Sequence, residues 1–436
     1  MLDRLHAMIA KSRKGEPCAL VSVCSAHPDV LRASLNWAER GDRPLIIETT
    51  SNQVNQEGGY TGTTPAQFVT EITELADRLG VARERLILGG DHLGPQVWRG
   101  EGAAQAMEKA RVLVRAYVAA GYEKIHLDCS QGCAGDGEPL SDALIAERSA
   151  ELAVACEQAS DEAGTPPPVY IIGTEVPVPG GATVQSEPAG SNTDQPEDTI
   201  TATTPAAAHL TLQAHQEAFE AAGLSGVLAR IVGLVVQPGV EFAPLHVHHL
   251  PMDRDPGLRS VAQSWSSLVL EAHSTDYQHP AAFHRLAELG FGFQKVGPAL
   301  TFAMRQALYA LDTALGFIGR EIGLFATMEN LMLAHPGYWQ GHYAVEDRLA
   351  RHFGLSDRVR YYWAQEPAQR AVHALRDRVQ STPLPEPLLL QVFDERVLER
   401  AEQLSGGLDQ RLIDASIELA LDPYDLSGAV QGRIAG

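Results

Sequence analysis

The sequence has no long apolar run and no recognisable secretion signal. No hydrophobic stretch in its 436 residues approaches the roughly 20 that a membrane-spanning helix needs. The N-terminal segment MLDRLHAMIAKSRKG is mixed and amphipathic, unlike a signal peptide. We therefore expect no membrane partner and a cytoplasmic location, and the length allows a large buried core.

Cysteine is scarce, with five residues in the whole chain. An odd count in a long chain does not fit a disulfide framework. Cys129 and Cys133 also lack the C-x-x-C spacing of many zinc sites. We expect free and partly buried thiols.

Positive charge is in deficit, since 34 Lys and Arg residues face 55 Asp and Glu residues, a net charge of -21. Such a surface repels polyanions, so nucleic acid is not an expected partner. A small phosphorylated ligand would need local help from Lys295, arginines, a metal ion or a helix N-terminus.

Nucleotide and hydrolase motifs are missing as well. There is no G-x-G-x-x-G after the first predicted strand, no P-loop, and no kinase Gly-rich loop, H-R-D or D-F-G set. G-x-S-x-G and H-E-x-x-H are also absent. The sequence thus gives no support to a nucleotide-binding doubly wound sheet or to a kinase.

Eight short runs rich in Val, Ile and Leu alternate with segments of helical spacing. This alternation predicts a parallel sheet, and eight strands are the number that closes a TIM (β/α)8 barrel. We predict the barrel with an N-terminal helix over residues 1–320, and a helical C-terminal extension over 321–436 that packs on the barrel or forms an oligomer contact. The predicted strands lie near residues 18–24, 44–48, 85–89, 124–128, 169–173, 231–236, 267–271 and 291–296.

Polar residues follow the predicted strands at their C-terminal ends, which meet at one mouth of a barrel. Together they suit a divalent metal, with zinc the leading candidate, and an oxygenated substrate such as a sugar. The predicted metal ligands are His92, Glu175 and His273, and the predicted catalytic residues are Asp91, Asp128, Glu48 and Lys295.

Each assignment has a structural alternative. Asp91 could cap a helix, and Glu175 could pair with an interior Lys or Arg. The inner residues His126 and Glu271 are expected in a hydrogen-bonded layer that fills the barrel. Lys295 could hold a phosphate, polarise a carbonyl or act as a base with a lowered pKa.

The segment at 52–62, NQVNQEGGYTG, combines amides that can bind hydroxyl groups with glycines that allow close approach, although turn formation alone would explain it. The long irregular segment from Pro177 to about Thr204 is either a lid or disordered. The predicted substrate-binding residues are Asn52, Gln53, Asn55, Ser274 and Gly297.

Nine strings spread over nearly the whole chain resemble the GatZ/KbaZ family. That family is described as the non-catalytic Z subunit of class II tagatose-1,6-bisphosphate aldolase, in galactitol and N-acetylgalactosamine catabolism, and some members are labelled tagatose-6-phosphate kinase. The strings are SAHP (25–28), TSNQVNQEGGYTG (50–62), GGDHLGP (89–95), KIHLDCS (124–130), GTEVPVPGGA (173–182), VQPGVEF (236–242), EAHSTDYQ (271–278), KVGPALTFA (295–303) and RYYW (360–363).

The resemblance implies a TIM barrel, tagatose metabolism, a sugar-phosphate ligand and a catalytic aldolase subunit as partner. GGDHLGP also resembles the Asp-His step of catalytic class II aldolases, which implies proton transfer by Asp91 and zinc binding by His92. Two hypotheses follow: a Z-type subunit that supports a separate aldolase, or a metal-dependent ketose or sugar-phosphate epimerase or aldolase in its own right. A kinase is a third hypothesis, without motif support, and a homo-oligomer is expected.

Overall fold

Eight parallel strands close into a barrel, which confirms the predicted fold. The computed structural model describes residues 2–137, 139–173 and 200–426. A separate two-stranded hairpin, β7 and β8, follows the sixth barrel strand and carries the HVH sequence. The strands are β1 (Leu20–Cys24), β2 (Leu45–Thr50), β3 (Leu86–Leu93), β4 (Lys124–Leu127), β5 (Val169–Gly173), β6 (Ile231–Val235), β7 (Glu241–Ala243), β8 (His246–His248), β9 (Val269–Ala272) and β10 (Phe291–Val296).

Helices follow the strands and continue into the C-terminal extension. In the barrel these are α1 (Leu2–Lys14), α2 (Pro28–Arg40), α3 (Pro65–Leu79), α4 (Ala103–Ala119), α5 (Asp142–Ala163), α6 (Pro205–Ala221), α7 (Leu258–Gln263), α8 (Pro280–Glu288) and α9 (Pro298–Gly316). In the extension they are α10 (Leu324–Ala334), α11 (Arg348–Phe353), α12 (Glu366–Ser381), α13 (Glu386–Leu389), α14 (Glu395–Glu402) and α15 (Leu408–Leu421).

Proline at the first helical position starts several of these helices, as the sequence indicates. Thr64 and Gln67 form a capping box at α3, with the Thr64 backbone N–H donating to Gln67 Oε1 at 2.9 Å. The Thr204 hydroxyl accepts from the backbone N–H of Ala207 at 3.2 Å at the start of α6. These caps fix where the chain leaves the mouth of the barrel.

Strand register places the polar ends of neighbouring strands at the same height. Cys24 of β1 pairs with Glu48 of β2, and Thr50 of β2 pairs with Asp91 of β3. The opposite end of the barrel is closed by α1, whose side chains Leu5 and Met8 join an apolar cluster inside the strands. The barrel therefore has one apolar end and one polar end.

The C-terminal extension packs on the barrel helices α2 and α9 through α15 and shares one apolar core with them. Arg32 of α2 pairs with Asp414 of α15 at 2.6 Å, and Asp29 pairs with Arg376 of α12 at 2.6 Å. The extension therefore packs on the barrel, and an oligomer contact through it stays a prediction. The exact boundary at residue 320 stays a prediction.

All five cysteines are free thiols, as expected. Across the described ranges, no helix combines the length and the apolar character that crossing a bilayer would take.

Candidate active site

A cavity of about 260 Å³ opens at the C-terminal ends of the barrel strands. It is continuous with a larger cavity of about 490 Å³ through shared lining residues, among them Gln53, Tyr60 and Arg360. The smaller cavity holds most of the residues that the sequence singled out. Its predicted lining residues are Asn52, Gln53, Asp91, His92, Asp128, His273, Ser274, Lys295 and Gly297.

Four side chains in the barrel mouth could share one cation. They are Asp91, His92, His126 and His273, and one ligand atom of each lies within 4.8 Å of all the others. His126 Nδ1 is 3.0 Å from Asp91 Oδ1, and His92 Nε2 is 3.8 Å from the same oxygen. Three imidazoles and one carboxylate fit the donor preferences of zinc and related divalent metals.

The GGDH sequence explains how neighbouring residues both reach the cavity. Register between β3 and β4 shifts between Gly90 and Leu93, and His92 has a φ of +47°, in the left-handed region. Left-handed backbone is costly for a residue with a side chain, so it occurs mainly where surrounding structure imposes it. The two glycines leave room, since a Cβ on Gly89 would lie 2.7 Å from Glu48 Cγ.

Asp128 lines the cavity, and its carboxylate is bonded on both oxygens. Oδ2 lies 2.7 Å from His92 Nδ1, while Oδ1 accepts from the backbone and hydroxyl of Ser130 at 3.0 and 2.6 Å. Burial favours a higher pKa, but the bond to His92 prevails and holds the pKa of Asp128 below its usual range. This bond holds the His92 imidazole in one orientation, and a catalytic role for Asp128 stays a prediction.

A buried layer of ion pairs lies under the cavity. Lys124 Nζ is 2.5 Å from Glu48 and 2.6 Å from Glu271, and all three side chains are fully buried. Lys295 Nζ is 3.2 Å from Glu48, 3.1 Å from Glu271, and also contacts Asp91. Glu48 was predicted to be catalytic, yet it belongs to this layer and is not among the residues that line the cavity.

Lys295 keeps only some of its predicted roles. Burial lowers its pKa, but the neighbouring carboxylates of Asp91, Glu271 and Glu48 outweigh burial and raise the pKa well above its usual value. A base with a lowered pKa is therefore not what this environment produces. Burial acts to raise the pKa of Asp91, but His92 first and then Lys295 hold it well below its usual range.

Of the predicted substrate-binding residues, Asn55 does not line the cavity. Its Nδ2 donates to Ser51 O at 2.9 Å, and its Oδ1 accepts from the backbones of Glu57 and Gly59 at 2.8 and 3.0 Å. The amide therefore shapes the loop after β2, which is the alternative that the sequence left open. Glu175 and most of the predicted lid lie outside the described residues.

Several residues of the site were missed. His126 belongs both to the interior layer, as expected, and to the four-residue group, and its Nε2 is 3.0 Å from Gly173 O. Its spacing of two from Asp128 was the available signal. The missed residues that line the cavity include Gln96, which directly follows the GGDHLGP string. The rest lie within the other quoted strings or the extension, and include Tyr60, Asp276, Ser356, Arg358, Arg360 and Tyr361.

Known proteins resemble this chain over nearly its full length. A family model described as D-tagatose-1,6-bisphosphate aldolase subunit GatZ/KbaZ-like matches residues 5–429. A protein of Agrobacterium fabrum named D-tagatose 6-phosphate 4-epimerase is 44% identical over 426 residues, which cover 96% of this chain and 97% of that protein.

A solved structure agrees with the same family. It is described as a probable tagatose 6 phosphate kinase from Sinorhizobium meliloti, is 40% identical, and superimposes with a TM-score of 0.82 over 93% of this chain and 99% of its own. The three descriptions share tagatose phosphates and differ in the reaction. On this evidence the chain belongs to the GatZ/KbaZ-like family of D-tagatose-1,6-bisphosphate aldolase subunits.

Proposed function

We propose that this chain is a metal-dependent epimerase that interconverts D-tagatose 6-phosphate and D-fructose 6-phosphate, two ketoses that differ only at C4. The observation that carries the proposal is the group of Asp91, His92, His126 and His273 at the barrel mouth. The 44% identity to a protein named for this reaction supports the choice of substrate.

Three imidazoles, those of His92, His126 and His273, are the proposed holders of the cation. Three protein ligands leave a coordination position for substrate, the arrangement of catalytic rather than structural zinc sites. When bound, the cation would polarise the substrate oxygens next to the reacting carbons. This set replaces the predicted one by adding His126, and it assigns no part to Glu175.

Inversion at C4 can proceed by breaking and re-forming a carbon-carbon bond. The C4 hydrogen is not adjacent to the C2 carbonyl and is not acidic, whereas the C4 hydroxyl is β to that carbonyl, so the C3–C4 bond can open as in a retro-aldol reaction. Asp91, kept ionised by His92 and Lys295, would take the C4 hydroxyl proton. The electron pair of the C3–C4 bond passes to C3, and a three-carbon aldehyde phosphate is released within the site.

Recombination completes the reaction without an external oxidant. The aldehyde presents its other face, C3 attacks it, and the C4 oxygen recovers the proton from Asp91. Asp128 fixes the His92 ring, and Lys124 holds Glu48 and Glu271 around Lys295. Cleavage of C3–C4 is also the chemistry of an aldolase, which relates the proposal to the family description.

The test is an assay on the purified chain alone with D-tagatose 6-phosphate, following D-fructose 6-phosphate by carbon NMR. Asp91→Asn should abolish the conversion, because the amide cannot take a proton, while the exposed Asp77→Asn should retain wild-type rates. No conversion by metal-saturated wild type would refute the proposal.

A second candidate is the aldolase-supporting subunit, which the family description favours. In that case the chain would raise the activity or stability of a separate class II tagatose-bisphosphate aldolase subunit, and Asp91→Asn would raise it equally well. Titrating wild type and Asp91→Asn into that enzyme, with light scattering to follow complexes and homo-oligomers, separates this role from catalysis.

A further inference from the structure

Two arginines of the C-terminal extension line the cavity without a carboxylate partner. The hydrogen bonds of Arg358 and Arg360 go to backbone carbonyls and a tyrosine hydroxyl, and within the described part of the chain neither makes an ion pair. Arg32, Arg305 and other partly or fully buried arginines do pair with carboxylates. The carboxylates of Asp357 and Asp276 act on Arg360 only from beyond ion-pair distance. In a chain with a net charge of -21, two guanidinium groups at a cavity wall without a directly bonded carboxylate indicate an anion.

The segment that carries these arginines is fixed to the barrel mouth. Asp357 has a φ of +44° and is buried, and its carboxylate accepts from Thr301 at 2.6 Å and Arg305 at 2.9 Å, both on α9. Just before it, Leu355 O accepts from the Tyr277 hydroxyl at 2.6 Å. A left-handed residue held in this way turns the following short 3₁₀ helix so that its arginines line the cavity.

Aromatic rings order both guanidinium groups. Arg360 Cζ lies 4.4 Å from the centroid of the Tyr361 ring, and Arg358 Cζ lies 5.4 Å from it. Arg360 Nη2 also donates to the Tyr361 hydroxyl at 2.8 Å, and Tyr60 contacts the Tyr361 ring edge-on at 4.8 Å. A guanidinium group that is ordered before binding loses less entropy when it binds an anion.

The position that many TIM barrels use for phosphate is already filled. That position is the helix N-terminus after the last strands, here the start of α9. The backbone N–H groups of Gly297 and Ala299 donate to Asp276 Oδ1 at 3.1 and 2.8 Å. A substrate phosphate therefore needs another set of donors, and the arginines lie on the wall of the same cavity.

We propose that Arg358 and Arg360 bind the phosphate group of the phosphorylated ketose while its C3–C4 bond lies at the Asp91 and His92 end of the cavity. This inference rests on the proposed function for the identity of the sugar, but not for the presence of an anion site. It gives the extension a direct part in substrate selection. Arg358 and Arg360 bind substrate and take no part in the bond changes.

The experiment compares Arg358→Ala, Arg360→Ala and Arg360→Lys with wild type, and uses Arg370→Ala as control, since Arg370 is exposed on α12. Calorimetry measures binding of inorganic phosphate, D-tagatose 6-phosphate and unphosphorylated D-tagatose, and kinetics measures KM and kcat for both sugars. We expect KM for D-tagatose 6-phosphate to rise about 10- to 100-fold in each alanine variant, as loss of a charge-assisted hydrogen bond predicts. Constants for D-tagatose should stay within about twofold, and Arg360→Lys should recover part of the loss.

The outcomes separate the two proposals. An active enzyme whose alanine variants keep wild-type KM for D-tagatose 6-phosphate would overturn the anion site and leave the proposed function intact. A chain that does not epimerise, yet loses phosphate binding in the variants, would overturn the proposed function alone. Circular dichroism checks folding, and Arg358→Ala decides the question if Arg360→Ala does not fold.

Discussion

The two ends of the barrel interior differ in chemistry although the same strands build both. At the α1 end, Leu5 and Met8 pack against Ile46, Val269 and Phe293 in a fully apolar cluster. At the mouth the interior contains two buried lysines, two buried glutamates and a histidine-rich group of which only His92 is partly exposed. The interior changes from apolar to charged over a short distance, because Lys124 Nζ lies 5.1 Å from the centroid of the Phe293 ring.

Every second side chain of a strand faces the barrel interior, and along individual strands these side chains change from apolar to charged towards the mouth. Along β9 and the residue that follows it, the inward series is Val269, Glu271 and His273, and on β10 it is Phe293 and then Lys295. Apolar burial at one end stabilises the fold, whereas the ion layer positions groups for chemistry. The comparison predicts that substitutions at the two ends damage different properties.

The largest expected effect is a loss of activity on substitution of His126, which the sequence analysis placed only in the interior hydrogen-bonded layer. His126→Ala should lower kcat/KM for D-tagatose 6-phosphate by about 10³ or more, because loss of a metal ligand removes several kcal/mol of transition-state stabilisation. Bound metal, measured by elemental analysis, should fall in parallel. Wild-type metal content together with wild-type kinetics would remove His126 from the site.

The next effect is on stability, from the middle of the ion layer. Lys124→Met leaves Lys295 as the remaining cation that Glu48 and Glu271 share, and breaking a buried ion pair costs about 3–5 kcal/mol of unfolding free energy. Urea unfolding followed by circular dichroism measures this loss. A loss below about 1 kcal/mol would mean that the layer does not hold the charges that we assign to it.

A smaller effect concerns the helices that cover the mouth. His352 Nδ1 lies 2.8 Å from the Tyr309 hydroxyl and Nε2 lies 2.9 Å from Glu329, while Arg305 and Arg348 are its nearby cations. Burial lowers the pKa of His352 to about 4, so its contribution to stability is present above pH 6.5 and is lost as the pH falls from 6.5 to 4. Thermal melts should show a smaller acid loss in His352→Gln than in wild type, by roughly 1–2 kcal/mol after allowance for solvent screening. Equal acid losses in both proteins would exclude this titration.

The smallest effect is expected at the apolar end. Ile87→Val removes one buried methylene from the apolar cluster at the α1 end of the barrel and should lower the unfolding free energy by about 0.5–1.5 kcal/mol. Its kcat/KM should equal that of wild type, because the cluster does not reach the cavity. A tenfold loss of activity in Ile87→Val would show that the two ends are not separable.

The sequence was sufficient for the barrel and for part of its mouth. Eight apolar runs predicted the strands, and the GGDH string predicted that Asp91 and His92 both face the cavity, because two glycines allow the turn. The sequence could not predict that Glu48 lies below the cavity or that Asp128 turns toward His92, because both depend on the register between strands. The sequence could not predict Arg360 as a cavity residue for another reason, because only long-range packing brings the extension back to the mouth.

The most direct test of a metal-dependent epimerase is chelation and repletion of the purified chain. Dialysis against a chelator should remove about one divalent cation per chain and stop conversion of D-tagatose 6-phosphate, and adding back zinc or a related cation should restore D-fructose 6-phosphate formation. A chain that converts the sugar equally well without any bound metal, or never converts it when saturated, would contradict the account.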